Sequence, residues 1–148
     1  KHITEVNYLG LVKGVEQVLP LLRKGKQPYL VGVSSSVDSF ALSRAEAYGA
    51  SKAAMTYFLE SLRIDLVPES MDVTIVKPGF VKTPLTDKND FPMPFIISAE
   101  EAGQRIMRGL TKRSMLIDFP KKFTYFLRFM GILPTYLRFK IARSLVKS

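Results

Sequence analysis

The sequence predicts an α/β fold in which a parallel sheet carries packed helices and ends in a helical C-terminal tail. Three observations carry this. Two short runs, Tyr29–Val33 and residues 73–76, are apolar and β-branched, with the length and composition of buried strands. Between them, residues 46–66 place apolar side chains at helical spacing, so strand, helix and strand follow one another in the order that builds a parallel pair. Residues 5–22 have a second helical period and precede the first strand.

Taken in order, the first helix presents Val6, Leu9, Val12, Val15, Val18, Leu19 and Leu22 as its apolar positions, and Pro20 is expected to bend its last turn. Gly10 and Gly14 fall inside this helix, where their spacing suggests close helix packing. The first strand runs into Ser34, Ser35 and Ser36, which puts hydroxyls at the carboxyl end of a strand, the edge of an open α/β sheet where ligands bind. The long helix has Ala50, Ala53, Ala54, Tyr57, Phe58, Leu62 and Leu66, and more weakly Ser61, as its apolar set. The second strand leads into Lys77, Pro78 and Gly79. Residues 84–97 form a loop rich in Pro and Phe, Ser98 and Glu101 read as a capping box opening a helix to about Leu110, and residues 115–117 read as a last short strand.

Chemistry enters through Tyr48 and Lys52, four residues apart on the long helix. Neighbours at that spacing share a face with Cβ atoms roughly 5–6 Å apart. A free phenol has a pKa of about 10, and an adjacent cation favours its ionised form, which would suit Tyr48 to proton transfer. The spacing alone is weak, because the chain has six Tyr and many Lys. Tyr136 and Lys140 repeat it without a serine-tipped strand before them, and that pair is expected to have no catalytic role.

The ordered set of strand, serines, Tyr48 and Lys52 on a helix, second strand and Pro78-Gly79 resembles the short-chain dehydrogenase/reductase family from about Asn7 to Thr83. Asn7 and Gly10 match the family's Asn-x-x-Gly, and Ser35 stands thirteen residues before Tyr48, as the family's serine does. Ser34 and Ser36 remain the alternatives. The resemblance implies the C-terminal part of a Rossmann-like, doubly wound parallel sheet. It also implies NAD or NADP as cofactor and interconversion of a carbonyl and an alcohol. In that reading Ser35 bonds the substrate oxygen, Tyr48 is the general acid and base, and Lys52 holds the nicotinamide ribose. The helix around Asn7 positions a water that links Lys52 to solvent. Pro78, Gly79, Val81 and Thr83 line the nicotinamide.

None of the nine glycines forms the clustered, glycine-rich turn after a first strand with which such proteins grip a pyrophosphate. The expectation is therefore an incomplete catalytic part, residues 1–118, whose missing N-terminal half supplies that grip. The first strand would present an unpaired apolar edge to it. A homodimer or homotetramer through the outer faces of the two long helices, at positions such as Leu11 and Tyr57, is a further implication of the resemblance.

Composition narrows the remaining classes. At 148 residues and 47% hydrophobic content the chain suits one packed unit. Absence of Cys removes disulfides, thiol nucleophiles and Cys-based metal sites, and a single His makes a metal centre improbable, which together suit a cytoplasmic enzyme. The net charge of +9 is a property of the tail, residues 119–148, where Lys121, Lys122, Arg128, Arg138, Lys140, Arg143 and Lys147 stand without an acid and contribute +7. Gly131 and Pro134 divide that tail into two helical stretches. In the second, Lys140, Arg143, Ser144 and Lys147 share a face opposite Leu137, Ile141 and Leu145. A basic, Phe- and Leu-rich tail suits either a cap on the fold or peripheral contact with an anionic membrane, and no nucleic-acid module is present. The loop's Phe91, Met93 and Phe95 suggest a small hydrophobic carbonyl or alcohol substrate. A competing expectation is a non-catalytic, membrane-peripheral scaffold that keeps the dehydrogenase framework.

Overall fold

The computed structural model describes residues 1–144; Leu145 and Lys147, placed above on opposite faces of the last helix, lie outside the described residues. The chain folds as α1 (His2–Thr4), a π-helical turn (Glu5–Leu9), α2 (Gly10–Leu22), β1 (Tyr29–Val33), α3 (Glu46–Asp65) and β2 (Asp72–Pro78). It continues through α4 (Ala99–Thr111), β3 (Leu116–Phe119), α5 (Lys121–Ile132) and α6 (Thr135–Ser144). The three strands form one parallel sheet in the order β1-β2-β3, with Tyr29 opposite Asp72 and Ile75 opposite Leu116.

Period-2 alternation explains the layers. Val73 and Ile75 of β2 face a core built with Val15 of α2, Leu30 of β1, and Leu59, Leu66 and Met71 from α3 and its exit. Val76 faces the other way, onto Ala102 of α4 with Ile117 and Phe119. Helices thus cover both faces of the central strand, as a doubly wound sheet requires. Over β1 that cover stops. Val31 and Val33 point to the α4 side and are 36% and 51% exposed, on the strand that forms the free edge of the sheet.

Several expected boundaries shift. The first helix starts at His2, three residues early, and contains a π turn around Asn7. Gly10 and Gly14 are not packing sites, since a Cβ on Gly14 would meet nothing within 4 Å and one on Gly10 only the Glu5 carbonyl oxygen at 3.6 Å. The long helix buries Ser51, Met55, Thr56 and Leu59, while Tyr57 is 77% exposed. The Ala53 and Tyr57 side instead lines, with Tyr8, Ala54, Phe58 and Ser61, a shallow apolar hollow on the surface. The last strand runs to Phe119 because the carboxylate of Asp118, buried at the strand's end, is held by Lys121 and by Arg128 at 3.0 Å.

The capping box is half formed. Ser98 Oγ accepts from the Glu101 N–H at 3.1 Å, whereas the Glu101 carboxylate turns to Arg105 at 2.7 Å. In the tail, Phe123, Leu127 and Met130 bury the inner side of α5 against Phe40, with Phe80, Leu133, Ile141 and Ala142 around them. α6 leaves Leu137, Lys140, Arg143 and Ser144 exposed and turns Ile141 inward.

Candidate active site

Gly32 sets the position of the long helix. A Cβ there would stand 2.2 Å from Leu59 Cδ1, so only glycine lets α3 lie this close to β1. One turn and more toward its N-terminus, α3 reaches the carboxyl end of β1 and meets it at three points. Lys52 Nζ donates to the Val33 carbonyl at 3.1 Å, Ser34 Oγ donates to the Lys52 carbonyl at 2.9 Å, and Thr56 Oγ1 lies 2.8 Å from Ser34 Oγ. The sheet edge carrying residues 34–36 and the helical turn carrying Tyr48 and Lys52 are therefore one unit.

Within it, Lys52 Nζ lies 5.8 Å from the centroid of the Tyr48 ring, and Tyr48 is 41% exposed. Burial holds the Lys52 amine below the usual lysine pKa, because partial removal from water penalises the ammonium form. Lysine has three N–H donors. Here the Val33 carbonyl is its one protein acceptor among the described residues.

The three serines differ in how firmly they are held. Ser34 is fixed between Thr56 and Lys52, and Ser36 donates to the Pro78 carbonyl at 3.1 Å. Ser35 makes only long contacts of 3.4 Å, to the Pro78 carbonyl and from the Val37 N–H, each longer than the bonds that hold Ser34 and Ser36. It is the least committed hydroxyl at this edge. Asn7 contributes from the π turn, its side-chain amide donating to Ser51 Oγ at 3.0 Å, which in turn donates to the Tyr48 carbonyl at 2.7 Å. Such π turns occur often at functional sites.

On the β2 side, the Cβ position of Gly79 is walled by Phe123 at 2.9 Å, Pro120 at 3.1 Å and the Phe119 carbonyl at 3.2 Å, so its smallness serves contact with the start of α5. The Val81 N–H has no hydrogen-bond partner among the described residues, while the Val81 carbonyl accepts from Thr86 Oγ1 at 2.8 Å. Thr83 caps the same turn, its N–H donating to Thr86 Oγ1 at 2.8 Å and its hydroxyl lying 3.2 Å from it. Phe80, Phe91, Phe95 and Phe123 form an aromatic group next to these residues, with Phe80 and Phe123 centroids 5.4 Å apart. Lys52 with its spare donors and the unpaired Val81 N–H are the groups suited to a dinucleotide's hydroxyl and amide ends.

One set of residues escaped the sequence reading. Asp38 and Lys77 form a buried ion pair at 2.8 Å, with side chains 3% and 10% exposed. Thr56 Oγ1 donates to Asp38 at 2.5 Å and Ser39 Oγ donates at 2.9 Å. The pair ties the turn Ser36–Ser39 to the end of β2. A lysine directly after the β-branched run 73–76 was the available signal, because a buried charge demands a partner.

Known proteins resemble this chain in sequence and in fold. The short chain dehydrogenase family profile matches residues 1–92, most of the chain. The chain belongs to the short-chain dehydrogenase family. It is 37% identical over 145 residues to an uncharacterized oxidoreductase of Myxococcus xanthus, covering 98% of this chain and 57% of that protein. It is 33% identical over 123 residues to the 11-beta-hydroxysteroid dehydrogenase-like 3 protein of Arabidopsis thaliana, covering 80% of this chain and 39% of that one. Among solved structures, a short chain dehydrogenase from Burkholderia cenocepacia in complex with NADP superposes with a TM-score of 0.79 at 22% identity, over 98% of this chain and 58% of that one. The chain thus spans between 39% and 58% of the length of these proteins, and it shares the fold of the solved structure.

Proposed function

We propose that this dehydrogenase chain supplies the proton-transfer half of an NAD(P)-dependent oxidoreductase that interconverts a hydrophobic carbonyl and its alcohol. The observation that carries the reading is the Lys52 amine held at the serine-tipped end of β1, 5.8 Å from the Tyr48 ring. A bound nicotinamide would supply the hydride. Tyr48 gives a proton to the substrate oxygen in reduction and takes it back in oxidation, from a ring that already faces solvent. Ser35 donates to the same oxygen, where negative charge develops. Lys52 would turn its remaining N–H groups to the ribose hydroxyls, beside the Tyr48 ring. Asn7 steadies the Tyr48 turn through Ser51 and orders the water path between Lys52 and solvent. Val81 bonds the carboxamide through its free N–H, with Pro78, Gly79 and Thr83 lining that side.

The pyrophosphate grip comes from an N-terminal half that pairs along the open edge of β1 and covers Val31 and Val33. The apolar hollow around Tyr8 and Tyr57 mediates a homodimer or homotetramer. The aromatic group at Phe80, Phe91, Phe95 and Phe123 selects an apolar substrate.

The test is oxidation of NADH or NADPH by the complete polypeptide with a panel of aromatic and long-chain aldehydes and ketones. Ser35→Ala is expected to lower kcat/KM by about 10²-fold or more, as loss of an oxyanion donor does, while Ser36→Ala leaves it within severalfold. Nicotinamide consumption that is absent across the panel, or equal losses in both variants, would overturn the proposal.

A further inference from the structure

Helix α5 is apolar on both sides and covered on only one. Phe123, Leu127 and Met130 are buried against Phe40, while Tyr125, Phe126, Phe129 and Ile132, at helical spacing on the opposite side, are 58%, 47%, 56% and 80% exposed. An exposed cluster of large apolar side chains marks a surface that contacts protein or lipid. With 12 residues, α5 is well short of the roughly 20 that cross a bilayer, and no helix among the described residues is long and apolar enough to do so. Tyr136 and Phe139 of α6, 73% and 65% exposed, add to the aromatic surface of the tail.

Charge identifies the occupant. Lys122 lies on the exposed side of α5, Arg138, Lys140 and Arg143 are exposed on α6, and no acid occurs from residue 119 to 148. Two copies of this surface would bring like charges together. An anionic lipid surface offers negative headgroups above a shallow apolar layer, the complement of aromatic rings set among basic side chains.

We propose that the outer side of α5, with the bases of α6, docks this protein on an anionic bilayer surface. The helix lies in the membrane plane with Phe126, Phe129 and Ile132 beneath the headgroups, and Lys122 and the α6 bases remain at phosphate level. Neither Tyr48 nor Lys52 takes part, so docking stands or falls independently of the redox reading.

Flotation of the complete protein tests this, with vesicles of phosphatidylcholine alone and of phosphatidylcholine and phosphatidylserine in equal parts. The protein is expected to float with the anionic vesicles only, less so in high salt. Phe126→Asp combined with Phe129→Asp is expected to lower partitioning at least about tenfold with an unchanged circular dichroism melt, because both side chains are solvent-facing. Met107→Asp, at an exposed position on α4, should leave flotation unchanged. Failure of the unaltered protein to float with either vesicle, or flotation indifferent to the double substitution, overturns the proposal. So does light scattering in which the double substitution converts a dimer to a monomer with no vesicle binding, since the face would then be a contact between copies.

Discussion

Lys52 Nζ donates to the Val33 carbonyl at 3.1 Å, fixing the helix that carries Tyr48 to the edge strand whose outer side is bare. The amine is held there against its own solvation. Burial lowers the Lys52 pKa, so the unfolded chain binds more protons than the folded one between the lowered folded value and the ordinary 10.5. Replacing the residue by an uncharged one removes that penalty. Lys52→Met is expected to raise the urea midpoint at neutral pH, and the gain should shrink as pH rises toward the ordinary lysine value. A gain that is constant with pH would show that the cost is steric.

Asp38 and Lys77 make the opposite case, in which each charge depends on the other. Lys77→Met leaves the Asp38 carboxylate buried with only Thr56 and Ser39 as donors, and is expected to cost about 3–5 kcal/mol in denaturant unfolding. The combined Lys77→Met and Asp38→Leu variant should recover most of that loss. Similar stability of the single and double variants would mean that the pair is solvated.

Asp118 contributes through its ionised form. Burial alone would raise its pKa, but the Lys121 hydrogen bond and the charges of Arg128 and Lys121 outweigh burial and leave it below the usual carboxylate range. Its stabilisation is therefore complete above the unfolded value, about 3.9, and is lost as pH falls through the lower folded value. Asp118→Asn should cost about 1.5–3 kcal/mol at neutral pH, the range for hydrogen bonds to charged groups. The gap to the unaltered chain should close in acid.

Gly32 is a packing requirement with a built-in rescue. Gly32→Ala drives a methyl into Leu59 and is expected to cost about 1–3 kcal/mol, with part regained in the Gly32→Ala, Leu59→Ala pair. Strictly additive losses would place the strain elsewhere.

How much of this was legible in the sequence follows from the range of each interaction. β1, β2 and α3 announce themselves through local period and β-branched runs, and Tyr48, Lys52 and the three serines come with them. The buried side of α3 was misread because Ser51 and Thr56 are buried through hydrogen bonds to the Tyr48 carbonyl, Ser34 and Asp38, while apolar Tyr57 faces out. The end of β3 was misread for the same reason, since a carboxylate signals a strand's limit until its cations, one and three turns ahead on α5, are seen to enclose it. The Asp38–Lys77 pair joins the turn after β1 to the end of β2, which the parallel register of the two strands brings together.

The central claim is that Tyr48, and no other tyrosine, trades the proton. Steady-state reduction of an apolar carbonyl by the complete polypeptide should fall by about 10²-fold or more in Tyr48→Phe, the scale of general acid catalysis, with little change in Tyr136→Phe. Equal turnover in the two variants would contradict the account.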